Sequence, residues 1–143
     1  MNMLTNEQIK EIAEQLDCGF RCFWNKKSGE LIFIPDTLKH PLMDIEVWAE
    51  EQEKLDSDFG NFFEIDPLES TDSFEIMEKF VDTLSDSNHL KKQLIEALNK
   101  RKPFREFKFV IDNSGEYRQK WFDFKNQELQ NWVRERFDEI NNR

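Results

Sequence analysis

Two short runs of aromatic and β-branched residues, Phe20-Arg-Cys-Phe-Trp-Asn25 and Glu30-Leu-Ile-Phe-Ile34, stand four residues apart, separated by Lys26-Lys-Ser-Gly29. Residues of this kind suit a pleated, half-buried surface, and the intervening four have turn composition. The pair therefore reads as a β-hairpin, with Pro35 closing its second strand. By period two, Phe20, Cys22 and Trp24 share one face while Arg21 and Asn25 point the other way. A lone hairpin is marginal in water, so this one requires a third strand or a helix against its apolar face. Asn61-Phe-Phe-Glu-Ile-Asp66, ended by Pro67, is the third-strand candidate.

Helical spacing surrounds these strands. Thr5-Asn-Glu-Gln8 has the form of a capping box, and Ile9, Ile12, Ala13 and Leu16 follow at helical intervals. Gly19 is placed to take the left-handed conformation after a helix ending near Asp17. Residues 37–41 read as a loop, and residues 44–55 as a short acidic helix anchored by Ile45, Val47 and Trp48. A turn at residues 57–60 follows. Asp72-Ser-Phe-Glu75 resembles a second capping box, leading Phe74, Met77, Phe80, Val81 and Leu84. Asn88 can cap a helix with the stripe Leu90, Leu94, Ala97 and Leu98. Pro103 suits the first position of the next, which carries Phe104, Phe107, Val110 and Ile111. Asn113-Ser-Gly115 breaks the chain before a long helix over residues 116–141. The expectation is an α+β fold: a small antiparallel β-meander of about three strands packed against several helices, with a long C-terminal helix.

At 143 residues the chain has the modal size of one domain, and such a chain can bury roughly 70% of its unfolded surface without staples. A single domain over residues 1–143 is expected. Fourteen Phe and four Trp supply the large apolar surfaces that disordered chains lack. Cys18 and Cys22 are too close in sequence for a disulfide between them to add much stability, and reduced thiols are expected. No apolar stretch reaches the length of a membrane span. The first residues also lack the basic start and apolar core of a secretory signal. The expected location is the cytoplasm.

Charge is unevenly distributed. Residues 44–87 hold fifteen acids against Lys54 and Lys79, whereas residues 88–125 hold ten basic residues and five acids. Such segments either neutralise each other in the fold or present two surfaces of opposite sign.

Catalytic constellations are hard to find. His40 and His89 are the only histidines, and nothing in the sequence pairs either with a nucleophile. Cys18, Cys22, His40 and His89 have zinc-ligand chemistry but no recognised spacing. Asp56-Ser-Asp58-Phe-Gly60 starts like a calcium loop, then inverts the required Gly-Asn order and places Pro67 where a bidentate carboxylate belongs. The four glycines form no phosphate loop. No catalytic, cofactor or metal residue is therefore assigned. A metal-dependent enzyme built from distant carboxylates is left as an alternative.

Two segments are candidates for binding. Lys100, Arg101, Lys102, Arg105 and Lys108 cluster around aromatics, the residue types that contact phosphates and stack on bases. Against stacking, Phe104 and Phe107 fall on the same helical face as Val110 and Ile111, which makes them core side chains. On the last helix, Tyr117, Trp121, Phe124, Leu129, Trp132, Val133, Phe137 and Ile140 form a stripe too wide for one neighbour. Trp132 and Phe137 are its candidates for a dimer or partner contact.

The order of these pieces resembles an uncharacterised bacterial protein family, number 0158 in the UPF series. The resemblance is carried by Leu4-Thr-x-x-Gln-Ile9, Cys22 to Trp24 with Ser28-Gly-Glu30 and Ile34-Pro-Asp36, and Phe74-x-x-Met-x-x-Phe80. Its strongest part is Ala97-Leu-x-x-Arg-Lys-Pro-Phe-Arg-x-Phe107, with Trp121-Phe122 downstream. It implies a stand-alone bacterial cytoplasmic protein and, because the family has no assigned activity, gives no catalytic residues to carry over.

The leading functional expectation is a small acidic interaction protein without catalytic activity. It would offer the acidic region 44–86, or the aromatic end of the last helix, to a protein partner or a second copy. The alternatives are nucleic-acid binding through residues 100–108 and an acidic surface that imitates nucleic acid. No membrane contact is expected.

Overall fold

The computed structural model describes residues 3–142. The chain divides into two compact units, one formed by Met1–Pro67 with Leu129–Arg143 and the other by Leu68–Glu128.

The first unit opens with α1 (Asn6–Asp17). Its start is the capping box read from the sequence: the Gln8 amide donates to Thr5 Oγ1 at 3.1 Å, and the Thr5 amide donates to Gln8 Oε1 at 2.9 Å. Two amides that no helical carbonyl can reach are thereby satisfied. Gly19 follows at φ 81°, and a Cβ there would meet His40 Nε2 at 2.9 Å, so both conformation and space require glycine.

The sheet has three antiparallel strands, β1 (Phe20–Asn25), β2 (Leu31–Pro35) and β3 (Phe62–Ile65), in the order β2-β1-β3. A simple meander would place β3 beside β2; here it pairs with β1, which takes the centre. Cys22 stands opposite Phe33 on one side and Ile65 on the other, and Trp24 opposite Leu31 and Phe63. Residues facing one way from β1, chiefly Cys22 and Trp24, are buried. The Cys22 thiol lies 4.0 Å from the Ile12 carbonyl of α1, and the Trp24 ring meets Phe137 edge-on at 4.7 Å.

The opposite face of the sheet carries Ile32 and Ile34. They form a second buried cluster with Leu55, to which Phe23, Trp48 and Phe62 add partly buried rings. Leu55 belongs to α2 (Ala49–Ser57), which follows a 3-10 turn over Ile45–Trp48. The acidic helix expected over residues 44–55 is thus a 3-10 turn leading into a helix. Ile45 and Val47 do not anchor it; both are exposed, whereas Leu55 is buried and Trp48 partly buried.

Asn25 is the buried polar residue of this unit at 2% exposure. Its carbonyl oxygen accepts from the amides of Lys27 and Ser28, both at 2.9 Å, and its side-chain NH2 donates to Asp58 at 2.8 Å. One side chain thus closes the hairpin turn and ties it to the segment preceding β3.

The second unit contains α3 (Ser70–Asp82), α4 (His89–Leu98), α5 (Pro103–Asp112) and the first half of α6 (Tyr117–Asn141). Asn88 caps α4, its Oδ1 accepting from the Leu90 amide at 2.9 Å, and Pro103 begins α5. The start of α3 differs from the sequence reading. Asp72 is the third helical residue, not the cap, and its carboxylate accepts from the Glu69 amide at 2.9 Å. Phe80, Phe107 and Trp121 form the core, with Trp121 5.3 Å from Phe80 and 4.9 Å from Phe107, both edge-on.

Candidate interaction surface

In the first unit, two adjoining depressions of about 590 and 380 Å³ lie between the sheet and α2. Arg21, Ile34 and Gln52 line both. The larger extends to Trp48, Leu38 and Ile45, and the smaller to Leu55, Phe59 and Phe62. The groove arises because β1 pairs with β2 in a register that sets Arg21 opposite Ile34, while α2 covers only part of that sheet face.

The floor of the groove is apolar, and several large side chains at its rim remain in solvent. Leu38 is 92% exposed, Phe59 79% and Ile45 57%. Leu42 and Val47, from the same loop and turn, are also exposed. Such grouping exceeds the scattered single hydrophobes of an ordinary surface. The loop carrying Leu38 is fixed at both ends: the Leu38 amide donates to Asp36 Oδ1 at 2.9 Å, and His40 Nε2 donates to the Cys18 carbonyl at 2.7 Å.

Electrostatically the groove is negative. Arg21 is the cation among its lining residues, and its guanidinium is bound to Glu64 through Nε at 3.0 Å and Nη2 at 2.8 Å. That hydrogen-bonded pairing holds the Arg21 pKa above its ordinary value against the opposing effect of burial. Asp36, Glu46 and Asp56 line the groove and form no ion pair among the described residues. Over the residue ranges of the two units, the first holds eighteen acids against nine basic residues and the second twelve against eleven, so the first unit carries nearly all the net charge of −10.

The basic segment belongs to the second unit. Lys100, Arg101, Lys102, Arg105 and Lys108 are all exposed. Lys100 and Arg105 approach Glu106 at 3.9 and 3.5 Å, and Lys108 approaches Asp112 at 2.8 Å. Arg101 and Lys102 form no ion pair among the described residues. Phe107 and Ile111 are buried as expected, but Phe104 is not a core side chain. It is 45% exposed and touches Phe74 at 6.4 Å, while Phe109 is 67% exposed. A ten-residue helix carrying five large apolar side chains cannot turn all of them inward, so Phe107 and Ile111 take the buried stripe.

Phe137 is buried against Trp24 in the first unit. Trp132 is half-buried; its indole N–H donates to the Asp66 carbonyl at 2.9 Å, and Arg136 lies 4.1 Å from the ring centroid. Among the described residues, no three or more His, Cys, Asp or Glu side chains are grouped to hold a metal ion, and no helix is long and apolar enough to cross a membrane. Burial, followed by the nearby carboxylates of Glu64 and Glu11, pushes the Cys22 thiol up to about 12, which leaves it protonated at neutral pH.

The groove residues escaped the sequence reading because they come from separate stretches that only strand pairing brings together. The available signal was the apolar content of the loop, at Leu38 and Leu42, where no regular element was expected to bury it.

The pattern of an uncharacterised protein family (UPF0158) matches residues 1–142. The chain belongs to that family. A UPF0158 protein of Pseudomonas aeruginosa is 30% identical over 126 residues, covering 87% of this chain and 76% of that protein. No solved structure matches. Within this UPF0158 chain, the Lys-Pro-Phe-Arg run at residues 102–105 is the start of α5, where Pro103 supplies the first helical position.

Proposed function

We propose that this UPF0158 protein acts as a non-catalytic interaction module, binding a protein partner through the groove of its first unit. The observation that carries the reading is the coincidence of an apolar floor, outward-facing Leu38, Ile45 and Phe59, and carboxylates that form no ion pair among the described residues, on one surface. Aliphatic and aromatic side chains held in water cost free energy that burial against a partner recovers, at about 25 cal/mol per Å². The test is affinity capture with the full chain and with Leu38→Glu combined with Ile45→Glu. Both positions are exposed, so the double variant should keep the thermal unfolding midpoint while losing the captured partner. Unchanged capture by the variant, or turnover of a substrate abolished by a single groove carboxylate substitution, contradicts the reading.

A second reading is favoured by Phe104 and Phe109. Their exposure beside Arg101, Lys102 and Arg105 provides the mixture of cations and accessible rings that single-stranded nucleic acid uses. Binding by this route should fall steeply with salt and weaken in Arg101→Ala with Arg105→Ala. A flat salt response counts against it.

A further inference from the structure

We infer that the groove of the first unit takes a basic amphipathic segment of a partner protein, which seats apolar side chains in the two depressions and sets its cations against Asp36, Glu46 and Asp56. The inference rests on the interaction reading above and adds the chemistry of the occupant.

Three features of the groove point the same way. Its floor, from Ile34, Trp48, Leu55 and Phe62, offers no specific partner to a polar ligand, so apolar side chains must fill it. Its cation is already committed, because the Arg21 guanidinium is held in two bonds by Glu64, so an acidic ligand would find no free positive charge and would face the rim carboxylates. Among the described residues Asp36, Glu46 and Asp56 make no ion-pair contact, Asp36 being attracted to Arg21 without one, and a purely apolar occupant would strip water from them without replacing its hydrogen bonds. A ligand with lysines or arginines beside its apolar side chains satisfies floor and rim together. The excess of nine acids in the first unit would also steer such a ligand over a longer range. Leu38, Ile45 and Phe59 line the two depressions and yet stand largely in solvent, and an apolar surface running through both depressions suits a peptide segment more than a small molecule.

The experiment is fluorescence anisotropy of the full chain with two short fluorescein-labelled synthetic peptides. One is composed of Leu and Lys at amphipathic helical spacing; the other has every Lys replaced by Glu. Saturable binding of the Leu/Lys peptide alone is expected. Leu38→Glu with Ile45→Glu should weaken it about thirtyfold, the threshold loss of a hot spot, even though the variant adds negative charge. Asp36→Asn with Glu46→Gln and Asp56→Asn should weaken it and flatten its salt dependence. Equal binding of the Leu/Glu peptide, no binding of the Leu/Lys peptide, or no effect of the Leu38/Ile45 variant overturns the inference. If the Leu/Lys peptide fails while capture of a protein still depends on Leu38 and Ile45, only the basic character of the occupant is lost. If capture fails as well, the interaction reading falls with it.

Discussion

Arg21 and Glu64 close a two-bond fork across β1 and β3, with Nε to Oε2 at 3.0 Å and Nη2 to Oε1 at 2.8 Å, on the sheet face that floors the groove. Both side chains are partly exposed, so the pair contributes little to stability and much to the sign of the surface. Glu64→Gln should cost no more than ~1 kcal/mol in urea denaturation while weakening capture of a basic ligand, because Arg21 is left uncompensated. A large stability loss with unchanged binding would show that the fork serves the fold and not the surface.

The two cysteines should separate cleanly by reactivity. Cys18 is exposed, whereas Cys22 is fully buried with its thiol pushed up to about 12. At pH 8 a maleimide should label Cys18 alone, and Cys22 only after denaturant is added. Two equivalents labelled in the native state would mean that β1 opens readily.

Asn25 is expected to be intolerant of change. Asn25→Ala removes the acceptor for two backbone amides and the donor to Asp58 in a buried setting, at a cost of about 1–3 kcal/mol. Thermal or urea unfolding reads this directly, and a neutral result would mean that water replaces all three bonds.

Asp112 links the end of α5 to the start of α6, accepting from Lys108 at 2.8 Å and from Arg118 at 3.2 Å. The Lys108 hydrogen bond, with help from Arg118, holds its pKa below the usual 3.8. A carboxylate depressed in the folded state contributes stability that is complete above its unfolded pKa and lost as pH falls through the lower folded value. The protein should therefore lose stability on acidification below about pH 4. Asp112→Asn should be less stable than the wild type at neutral pH and lose less on acidification. Parallel pH profiles for the two proteins would contradict this.

Local chemistry was legible in the sequence where a single short pattern decides the outcome. Thr5 with Gln8, Asn88, Pro103 and the Lys26-Lys-Ser-Gly29 turn each satisfy or forbid a backbone bond within a few residues, and each marks the boundary expected of it. The start of α3 was ambiguous because Glu69, Asp72 and Glu75 lie three apart and can each serve as cap or as third residue. Phe104 and Phe109 were illegible for a different reason. Apolar residues outnumber the buried positions of α5, and only packing against neighbouring helices decides which of them stay in water. The groove was least legible, since Arg21, Ile34 and Gln52 meet only after β1, β2 and α2 have assembled.

The Trp24–Phe137 contact also constrains how the protein is made. The first unit combines residues 1–67 with residues 129–143, so its earlier stretch leaves the ribosome with the Trp24 ring lacking its Phe137 partner and waits for more than a hundred further residues before Phe137 arrives. The second unit, whose residues are continuous, can finish folding during that interval. Vectorial synthesis thus reverses the order of completion: the portion begun first is completed last, and a ribosome stalled near residue 128 would hold a nascent chain whose first unit lacks the ring that closes over Trp24.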